Sequence, residues 1–441
     1  MLISENATYA ISLLNKAGYE AYLVGGCVRD MLMNIPPHDY DITTSALPSE
    51  MKEVFKDFRT IETGLKHGTL TVIINNESLE ITTYRIDGEY KDNRHPESVT
   101  FSRSLKDDLL RRDFTINAIA YNEKIGTIDL FDGENDIKNK IIRAVGNPEK
   151  RFNEDALRIL RAIRFSSTLG FEIENETKKA MIKCAPLLHN IAKERISVEI
   201  EKFLLGKNVK NALLENYEVL SELICELKKM YKFDQKNKWH IYDILEHTAV
   251  AIESAPKIPH LRLAMLLHDT GKVHTFSIDE NGVGHFYGHG EKSAEIAREY
   301  LNRYKYDNFT KDEVYNLVKL HDLYTEEDRV LVKKRLNRIG KERFLDLLKI
   351  QRADNMAQNP ALVNLSHIDE LERLSLEISN EQCFSLSSLK INGTDLIFVG
   401  FRGREIGNTL NILLNEVIEE KLQNDKQALI KRAIEIKNDC N

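Results

Sequence analysis

The hydrophobic periodicity of the chain changes once, near Pro148, and this change constrains the possible folds most strongly. Before it, short strand-like apolar runs at 21–24, 69–74 and 79–84 accompany helical stretches such as 8–17. After it, apolar residues recur at three- and four-residue spacing almost to the end, which is typical of packed helices. We therefore predict an α+β fold, in which a head with a small mixed sheet precedes an all-helical remainder.

Length and polar breaks predict several domains. The chain has 441 residues, too many for one ordinary domain. A polar break at 234–238 precedes a histidine-rich region, since 7 of the 13 histidines fall between 240 and 289, and a second break lies at 385–388. The predicted domains are a head at 1–146, a helical neck at 147–232, a body at 233–383 and a helical tail at 384–441.

Charge and composition limit the class of protein. The net charge of −7 argues against a nucleic-acid partner, but residues 138–165 carry eight Lys or Arg against three Asp or Glu. That stretch fits either a solvated helix face or a nucleic-acid contact. The five cysteines form no CxxC pair, no apolar run reaches membrane-spanning length, and the N-terminus lacks the features of a secretory signal. A cytoplasmic location and no membrane contact are predicted.

Two aspartates in PHDYDITT predict a metal site. In an extended segment, Asp39 and Asp41 would point to the same side and hold common metal ions. Two Mg²⁺ ions held in this way assist nucleotidyl transfer, because they activate the attacking hydroxyl and neutralise the leaving pyrophosphate. Glu80, in SLEITTYR, is placed to supply a third carboxylate. An acidic i, i+2 pair is common by chance, so the hypothesis depends on the neighbouring motifs.

The neighbouring motifs favour a nucleotide-binding head. Gly25 and Gly26 separate a predicted strand from a helix, where glycines let backbone amides approach a triphosphate, and Arg29 would add a charged clamp. A glycine pair alone usually marks a turn. The ordered combination of GGCVRD, DYD and KHGTLTV, with a carboxylate on the next strand, is far more specific.

These motifs resemble a known family. LVGGCVRDMLMNIPPHDYDITTSALP is similar to the signature of class II tRNA nucleotidyltransferases and their poly(A) polymerase relatives, members of the polymerase-β superfamily. Further matches include RRDFTINAIAYN, LFDG, RFNEDALRILRAIRF and ERISVEIEKFL, so the resemblance covers about the first 205 residues closely and the rest loosely. It implies a polymerase-β-type head that uses Mg²⁺, with ATP, CTP and the tRNA 3′ end as partners, and addition of CCA as the reaction.

The family selects the incoming base with an EDxxR motif, which here is Glu154, Asp155 and Arg158. A helix would place positions 155 and 158 one turn apart, so that both meet one base edge. Cytosine and adenine each present an amino donor beside a ring-nitrogen acceptor, which a carboxylate and a guanidinium match. Guanine and uracil present the reverse order, and this mismatch supports selection without a template. An ordinary helical salt bridge is the alternative interpretation.

The same resemblance extends the predicted nucleotide site. The residues that it adds are Arg111, Arg112, Asp113, Asn117 and Arg161. Asp132-Gly133 resembles the family's hinge, and residues 86–106 resemble the flexible loop needed for terminal A addition. Poly(A) polymerases differ at 63–69, which favours CCA addition, whereas an enzyme that adds only A remains an alternative.

A second set of residues resembles the HD phosphohydrolases. In chain order it comprises His247, His268, Asp269, His289, His321 and Asp354. The resemblance implies a cage of His247, His268, Asp269 and Asp354, which His289 and His321 extend towards substrate or a second ion. Mixed imidazole and carboxylate ligands suit Ni, Co or Mn. In tRNA nucleotidyltransferases with this domain the implied activities are 2′,3′-cyclic phosphodiesterase, 2′-nucleotidase and phosphatase.

Several alternatives remain open at this point. Buried histidines satisfied by carboxylates would leave an inert helical body, and the head could serve an HD phosphohydrolase as an RNA-binding module. A tRNA-binding protein without catalysis is a third hypothesis. The turn at Gly400–Arg404 fits either phosphate contact in the tail or helix capping. The sequence does not distinguish a monomer from a homodimer.

Overall fold

The computed structural model describes residues 3–88, 99–381 and 383–439. It divides into two compact units, Met1–Lys228 and Lys229–Asn441. The first contains the predicted head and most of the predicted neck, and the second contains the predicted body and tail. The finer division into four domains stays a prediction.

The first unit contains the sheet. Its strands are β1 Ala21–Val24, β2 Asp41–Thr44, β3 Arg59–Ile61, β4 Thr69–Ile74, β5 Glu77–Thr83, β6 Arg85–Asp87, β7 Val99–Phe101, β8 Ile119–Asn122, β9 Gly126–Asp129, β10 Ile141–Ile142 and β11 Glu172–Ile173. Seven of them form one sheet in the order β3-β4-β5-β2-β1-β8-β9. The β2–β5 pair is parallel and its other neighbouring pairs are antiparallel. The predicted mixed sheet is confirmed.

The register of β2 against β5 decides where the polar side chains of the head lie. Ile42 is paired with Ile81, and both are buried in the core under the first helices. Asp41 is paired with Glu80, one residue earlier on each strand. Because side chains alternate between the two faces of a sheet, Asp41 and Glu80 point away from that core, and both are exposed.

The β4–β5 hairpin turns more tightly than the sequence suggested. Asn75 and Asn76 have φ of +48° and +66°, the left-handed conformation that asparagine adopts more readily than most residues. The turn therefore needs only two residues, and Glu77 already pairs with Ile74. As a result, β5 begins two residues before the predicted strand at 79–84.

Helices dominate the first unit after the sheet, as the periodicity predicted. The helices of the whole unit are α1 Glu5–Lys16, α2 Gly26–Leu32, α3 Pro48–Val54, α4 Leu105–Leu110, α5 Gly133–Asn139, α6 Pro148–Glu154, α7 Leu157–Leu169, α8 Asn175–Cys184, α9 Lys193–Leu204 and α10 Val209–Leu220. The helical region begins at Pro148, where the Asn147 side chain accepts a hydrogen bond from the Lys150 amide at 2.9 Å. This cap explains why the change of periodicity coincides with a helix start.

The second unit is almost entirely helical. After α11 Glu226–Met230, which crosses the unit boundary, it contains α12 Ile244–Ser254, α13 Pro259–Leu267, α14 Lys272–Thr275, β12 Ser277–Ile278, β13 Gly284–His285, α15 His289–Arg303, α16 Asn308–Leu320, α17 Arg329–Ile339, α18 Lys341–Met356, α19 Ser366–Glu381, α20 Gly393–Val399, α21 Arg404–Ile418 and α22 Lys426–Asp439. Within the described ranges, no helix combines the length and apolar character needed to cross a membrane. At the predicted basic turn, Gly400 and Gly403 cap the helices α20 and α21.

The glycine of the predicted hinge is required by packing. A Cβ on Gly133 would lie 2.3 Å from the carbonyl oxygen of Thr115. We expect Gly133→Ala to lower the free energy of unfolding by about 2–3 kcal/mol, since backbone must move to make room. Asp132→Gly is the matched control: φ at Asp132 is +61°, which glycine adopts without strain, so stability should change little. Denaturant unfolding followed by circular dichroism measures both, and equal stability of the two variants would contradict the packing argument.

Candidate functional sites

Three carboxylates gather at the exposed face of the head sheet. Asp41 is the first residue of β2 and lies beside Glu80, whereas Asp39 lies in a bend instead of the extended segment predicted for DYD. The pKa of Asp41 is raised, first because protein atoms crowd its carboxylate although the side chain is exposed overall. Arg112 opposes this shift, while the Asp39 and Glu80 carboxylates add to it. The Asp39 and Glu80 carboxylates thus both act on Asp41.

Gly25 keeps space open beside these carboxylates. Its φ is +83°, and a Cβ at this position would lie 3.2 Å from Arg112 Nη1 and 3.6 Å from Asp41 Oδ2. A side chain at this position would therefore fill the gap between the Arg112 guanidinium and the Asp41 carboxylate. Gly26 follows as the first residue of α2, where a Cβ would meet Arg29 Nη2 at 3.6 Å. The glycine pair predicted for the nucleotide site thus borders Asp41.

Four of the predicted nucleotide-binding residues form one polar chain, in which Arg29, Asn117 and Asp113 are buried and Arg161 is half-buried. Arg29 Nη1 donates to Asn117 Oδ1 at 2.9 Å, Asn117 Nδ2 donates to Asp113 Oδ1 at 3.2 Å, and Arg161 Nε donates to Asp113 Oδ2 at 2.7 Å. Both guanidinium groups also lie over the Phe165 ring. Burial acts to raise the pKa of Asp113, but Arg161 and Asn117 outweigh it and hold that pKa at about 2. The chain is therefore charged and rigid.

Asp108 anchors two further arginines, and the sequence analysis missed it. Its fully buried carboxylate lies 2.7 Å from Arg111 Nη2 and 3.2 Å from Arg112 Nη2, and it accepts a hydrogen bond from Thr43 Oγ1 at 3.1 Å. Burial acts to raise the pKa of Asp108, but the two arginines outweigh it and lower that pKa. The i, i+3 and i, i+4 spacing from Asp108 was the available signal.

The predicted geometry of the base-selecting pair is wrong. Asp155 and Arg158 do not lie one turn apart on one helix, because α6 ends at Glu154 and Asp155 has φ −137° and ψ 102°. The Asp155 carboxylate instead accepts a hydrogen bond from the Leu157 amide at 3.0 Å, which starts α7. Arg195, also missed, lies 3.0 Å from the Asp155 carboxylate. Competition from this local capping bond breaks the helix.

Arg158 is held by partners other than Asp155. Its Nη1 donates to Glu154 Oε2 at 3.0 Å and to the Arg151 carbonyl at 3.1 Å, while Nη2 donates to the Arg111 carbonyl at 2.8 Å. Glu154 also binds Arg151 at 2.6 Å. Asp155 and Arg158 therefore have separate supports: Arg195 and the Leu157 amide for the Asp155 carboxylate, and Glu154 with two backbone carbonyls for the Arg158 guanidinium.

The structure describes only the two ends of the segment predicted as a flexible loop. Arg85–Asp87 and Val99–Phe101 pair as antiparallel strands, and α4 occupies Leu105–Leu110, so both ends of the predicted 86–106 loop are regular structure. Residues 89–98 lie outside the described residues. The loop prediction therefore has no test in its central part.

In the second unit, four histidines direct the same ring atom inwards. Each Nδ1 lies 2.7–3.1 Å from a backbone carbonyl: His247 from Ala357, His268 from Met265, His289 from Phe286 and His321 from Val318. A carbonyl only accepts, so each Nδ1 carries a proton and each Nε2 is the ring atom that would bind a metal. This arrangement is the usual support of metal-binding imidazoles.

The inward atoms form two triads. One is His247, His268 and Asp354, and the other is Asp269, His289 and His321; within each, the ligand atoms all lie within 4.8 Å of one another. The structure thus brings together all six residues predicted for this site. No comparable triad occurs elsewhere among the residues that the structure describes. The three head carboxylates do not form one either.

Asp269 lies between the two triads. Its Oδ2 is 3.4 Å from His247 Nε2 and its Oδ1 is 3.6 Å from His289 Nε2. Both oxygens are buried, and neither accepts a well-aligned hydrogen bond, although Lys272 Nζ is 2.7 Å from Oδ2. Burial acts to raise the pKa of Asp269, but His268 and Lys272 outweigh it and lower it well below its usual value. An ionised carboxylate whose two oxygens lie near ligand atoms of both triads fits a position between two cations.

Gly271 lies two residues after Asp269, and close packing requires a glycine there. Its φ is −74°, not the left-handed value of a C-cap, and it precedes the short helix α14. A Cβ there would lie 2.5 Å from the His289 carbonyl oxygen and 2.7 Å from the Ser293 amide. The glycine therefore allows α15 to approach, which brings His289 to Asp269.

Family models match three parts of the chain. They describe residues 21–143 as a Poly A polymerase head domain, 170–230 as an RNA and SrmB-binding site of polymerase A, and 288–433 as tRNA nucleotidyltransferase domain 2. The first match contains the three head carboxylates. The third contains His289, His321 and Asp354.

Whole-chain comparisons agree with these matches. A CCA-adding enzyme of Limosilactobacillus fermentum is 37% identical over 433 residues, 98% of this chain and 97% of the relative. One from Ligilactobacillus salivarius is 50% identical over 228 residues, which is 50% of this chain and 56% of that protein. The structure of the Bacillus stearothermophilus CCA-adding enzyme in complex with CTP has a TM-score of 0.73 and 30% identity, covering 98% of this chain and 97% of that one. The chain belongs to the CCA-adding enzyme family, which shares its head domain with the poly(A) polymerases.

Proposed function

We propose that the chain adds CCA to tRNA 3′ ends from CTP and ATP without a nucleic-acid template. The observation that carries the proposal is the alignment of Asp41 with Glu80 across two parallel strands, beside Gly25 and Arg112. It places hard carboxylate oxygens next to a guanidinium, which suits a nucleoside triphosphate with its cations. The full-length similarity to CCA-adding enzymes supports the choice of reaction.

The chain's own groups have separate tasks in this proposal. Asp39, Asp41 and Glu80 would hold Mg²⁺, which supplies activation of the attacking hydroxyl and neutralisation of the pyrophosphate when bound. Arg111 and Arg112, fixed by Asp108, would bind phosphate oxygens. The polar chain from Arg29 to Arg161 would hold Asp113 ionised and in place to accept a ribose hydroxyl.

Base selection would use side chains that are fixed before the nucleotide arrives. The Asp155 carboxylate accepts from an amino group, and the Arg158 guanidinium donates to a ring nitrogen, which matches C and A and rejects G and U. Arg195 would hold the Asp155 carboxylate and Glu154 would hold the Arg158 guanidinium. Preorganisation of this kind keeps the binding penalty low.

Arg158→Ala is expected to lower discrimination against UTP and GTP by about tenfold or more, because a buried charged donor to the base edge is lost. Competition between CTP and UTP on tRNA lacking CCA measures the change. Arg151→Ala is the matched control, since Arg151 also pairs with Glu154 but would not touch the base. Unchanged fidelity in Arg158→Ala, at whatever rate, would contradict its role.

The proposed reaction is tested with three tRNAs: one lacking the whole CCA end, one lacking only the final A, and one complete. With labelled CTP and ATP we expect addition to the first two and none to the third. Addition of A alone would show the alternative A-adding enzyme, and long A tails would show a poly(A) polymerase. No addition to any tRNA would refute the proposal and favour a head that only binds RNA.

We also propose a second activity, hydrolysis of phosphate esters at the second unit. The convergence of four Nε2 atoms on Asp269 and Asp354 supports it, because an inert helical body has no need of two ligand triads. Mixed imidazole and carboxylate donors fit Ni, Co or Mn, which would lower the pKa of water for attack on phosphorus when bound. Hydrolysis of 2′,3′-cyclic AMP with each ion tests the proposal. The cytoplasmic location stays a prediction, and the oligomeric state stays open between a monomer and a homodimer.

A further inference from the structure

Two open clefts meet at the ligand triads of the second unit. One, of about 600 Å³, is lined by Tyr287 and contains Asp269 and His289; the other, of about 590 Å³, is lined by Tyr324. Both are also lined by Trp239, His321, Asp322, Leu323, Asp354 and Gln358. Each cleft is large enough for one nucleotide, and a phosphate at their junction would lie at the triads.

Each cleft contains a tyrosine ring stacked on a histidine ring. Tyr287 lies flat on His285, with ring centroids 5.2 Å apart and an interplanar angle of 7°, and Tyr324 lies flat on His367 at 5.2 Å and 9°. Despite this stacking, the tyrosines are 76% and 69% exposed. The outer face of each ring is therefore available to a further planar group.

Carboxylates fix the inner ring of each pair. His285 Nε2 lies 3.0 Å from Asp279, and His367 Nδ1 lies 2.6 Å from Glu327. An anchored histidine under an exposed tyrosine gives a rigid platform, so a planar ligand would lose little entropy in ordering the protein. Aromatic platforms of this kind bind nucleobases by stacking, with little dependence on base identity.

We propose that the second unit binds a single-stranded oligonucleotide across both clefts, with one base on Tyr287, the next on Tyr324 and the phosphodiester between them at the triads. Lys272 and Lys319 also line the first cleft, but they are paired there with Asp269 at 2.7 Å and Glu291 at 3.0 Å, so the aromatic platforms carry the proposal. The inference rests on the proposed hydrolase for its chemistry. There, water oxygen bonds to phosphorus, one P–O ester bond breaks, and the departing hydroxyl oxygen takes a proton.

The only tryptophan in the chain provides a local signal for binding. Trp239 lines both clefts, so its fluorescence reports on this site and not on the head. The probe is the dinucleotide ApA, added to the full-length protein in EDTA so that hydrolysis cannot occur. We expect quenching, with ApA bound about tenfold more tightly than AMP, because a second base is stacked.

Tyr287→Ala and Tyr324→Ala should each weaken ApA binding about tenfold, and Tyr→Phe at either position should restore it, since the ring and not the hydroxyl binds the base. Phe398→Ala is the matched control, because Phe398 is 87% exposed and lines neither cleft. Equal affinities for ApA and AMP, or unchanged ApA binding in both alanine variants, would overturn the inference.

A second measurement separates this inference from the proposed hydrolase. If ApA binds as expected but neither ApA nor 2′,3′-cyclic AMP is cleaved with Ni, Co or Mn, the hydrolase is refuted and the oligonucleotide site stands. If 2′,3′-cyclic AMP is cleaved while ApA binds no better than AMP, the hydrolase stands and the oligonucleotide site is refuted. Cleavage of ApA that both tyrosine variants slow, and that Phe398→Ala leaves unchanged, supports both.

Discussion

Replacing Asp41 by alanine is expected to lower CMP and AMP incorporation by on the order of 10³-fold or more. The carboxylate lies at the centre of the head site, between Gly25, Arg112 and the neighbouring Glu80. Its loss would remove a ligand to the catalytic cations, whose charge stabilisation is worth several kcal/mol. Single-turnover incorporation of labelled CTP into tRNA lacking CCA measures the effect.

The controls for this prediction separate chemistry from folding and binding. Asp41 is exposed at the start of β2, so its replacement should leave the unfolding transition and tRNA binding nearly unchanged. Asp39→Ala should show the same loss, since Asp39 acts on Asp41 electrostatically. Glu77→Ala is a matched control on β5, because this carboxylate accepts hydrogen bonds from Ser4 and Asn6 away from the site. Near-normal incorporation by Asp41→Ala would refute the assignment of the metal site.

Much of the head could be predicted from the sequence because its signals are local. The change of periodicity at Pro148 is a helix start with its own cap, and the alternation along β4 and β5 fixes which residues are buried. These two features need no knowledge of distant contacts. The pairing of Asp41 with Glu80 does depend on a distant contact, since the two residues are 39 apart in the chain, and the order of the neighbouring motifs indicated it.

Other features of the sites depend on contacts between distant segments. The helix breaks at Asp155, whose carboxylate accepts a capping hydrogen bond from the Leu157 amide and pairs with Arg195, forty residues away in the chain. Spacing alone therefore suggested a continuous helix. Similarly, the backbone of His289, eighteen residues away in the chain, makes glycine necessary at position 271. Spacing also did not reveal that Asp269 touches both triads.

The position of Asp269 between the triads makes its replacement the sharpest test of the second site. Two triads predict two bound transition-metal ions per chain. Asp269→Asn should lower that number, because an amide oxygen is a weaker ligand than a carboxylate and the asparagine NH₂ group repels a cation. Metal analysis of purified protein measures the loss directly. His260→Gln is the matched control, since His260 pairs with Asp346 outside both triads.

The same variant should abolish hydrolysis of 2′,3′-cyclic AMP and leave CCA addition intact, while Asp41→Ala should do the reverse. The reason is that the two sites lie in different compact units and offer different donors: oxygen alone in the head, and nitrogen with oxygen around Asp269. Mg²⁺ should therefore suffice for nucleotide addition, whereas Ni, Co or Mn should stimulate hydrolysis. If wild-type protein retains no transition metal and cleaves no phosphodiester with any of these ions, the six ligands are structural and the second activity does not exist.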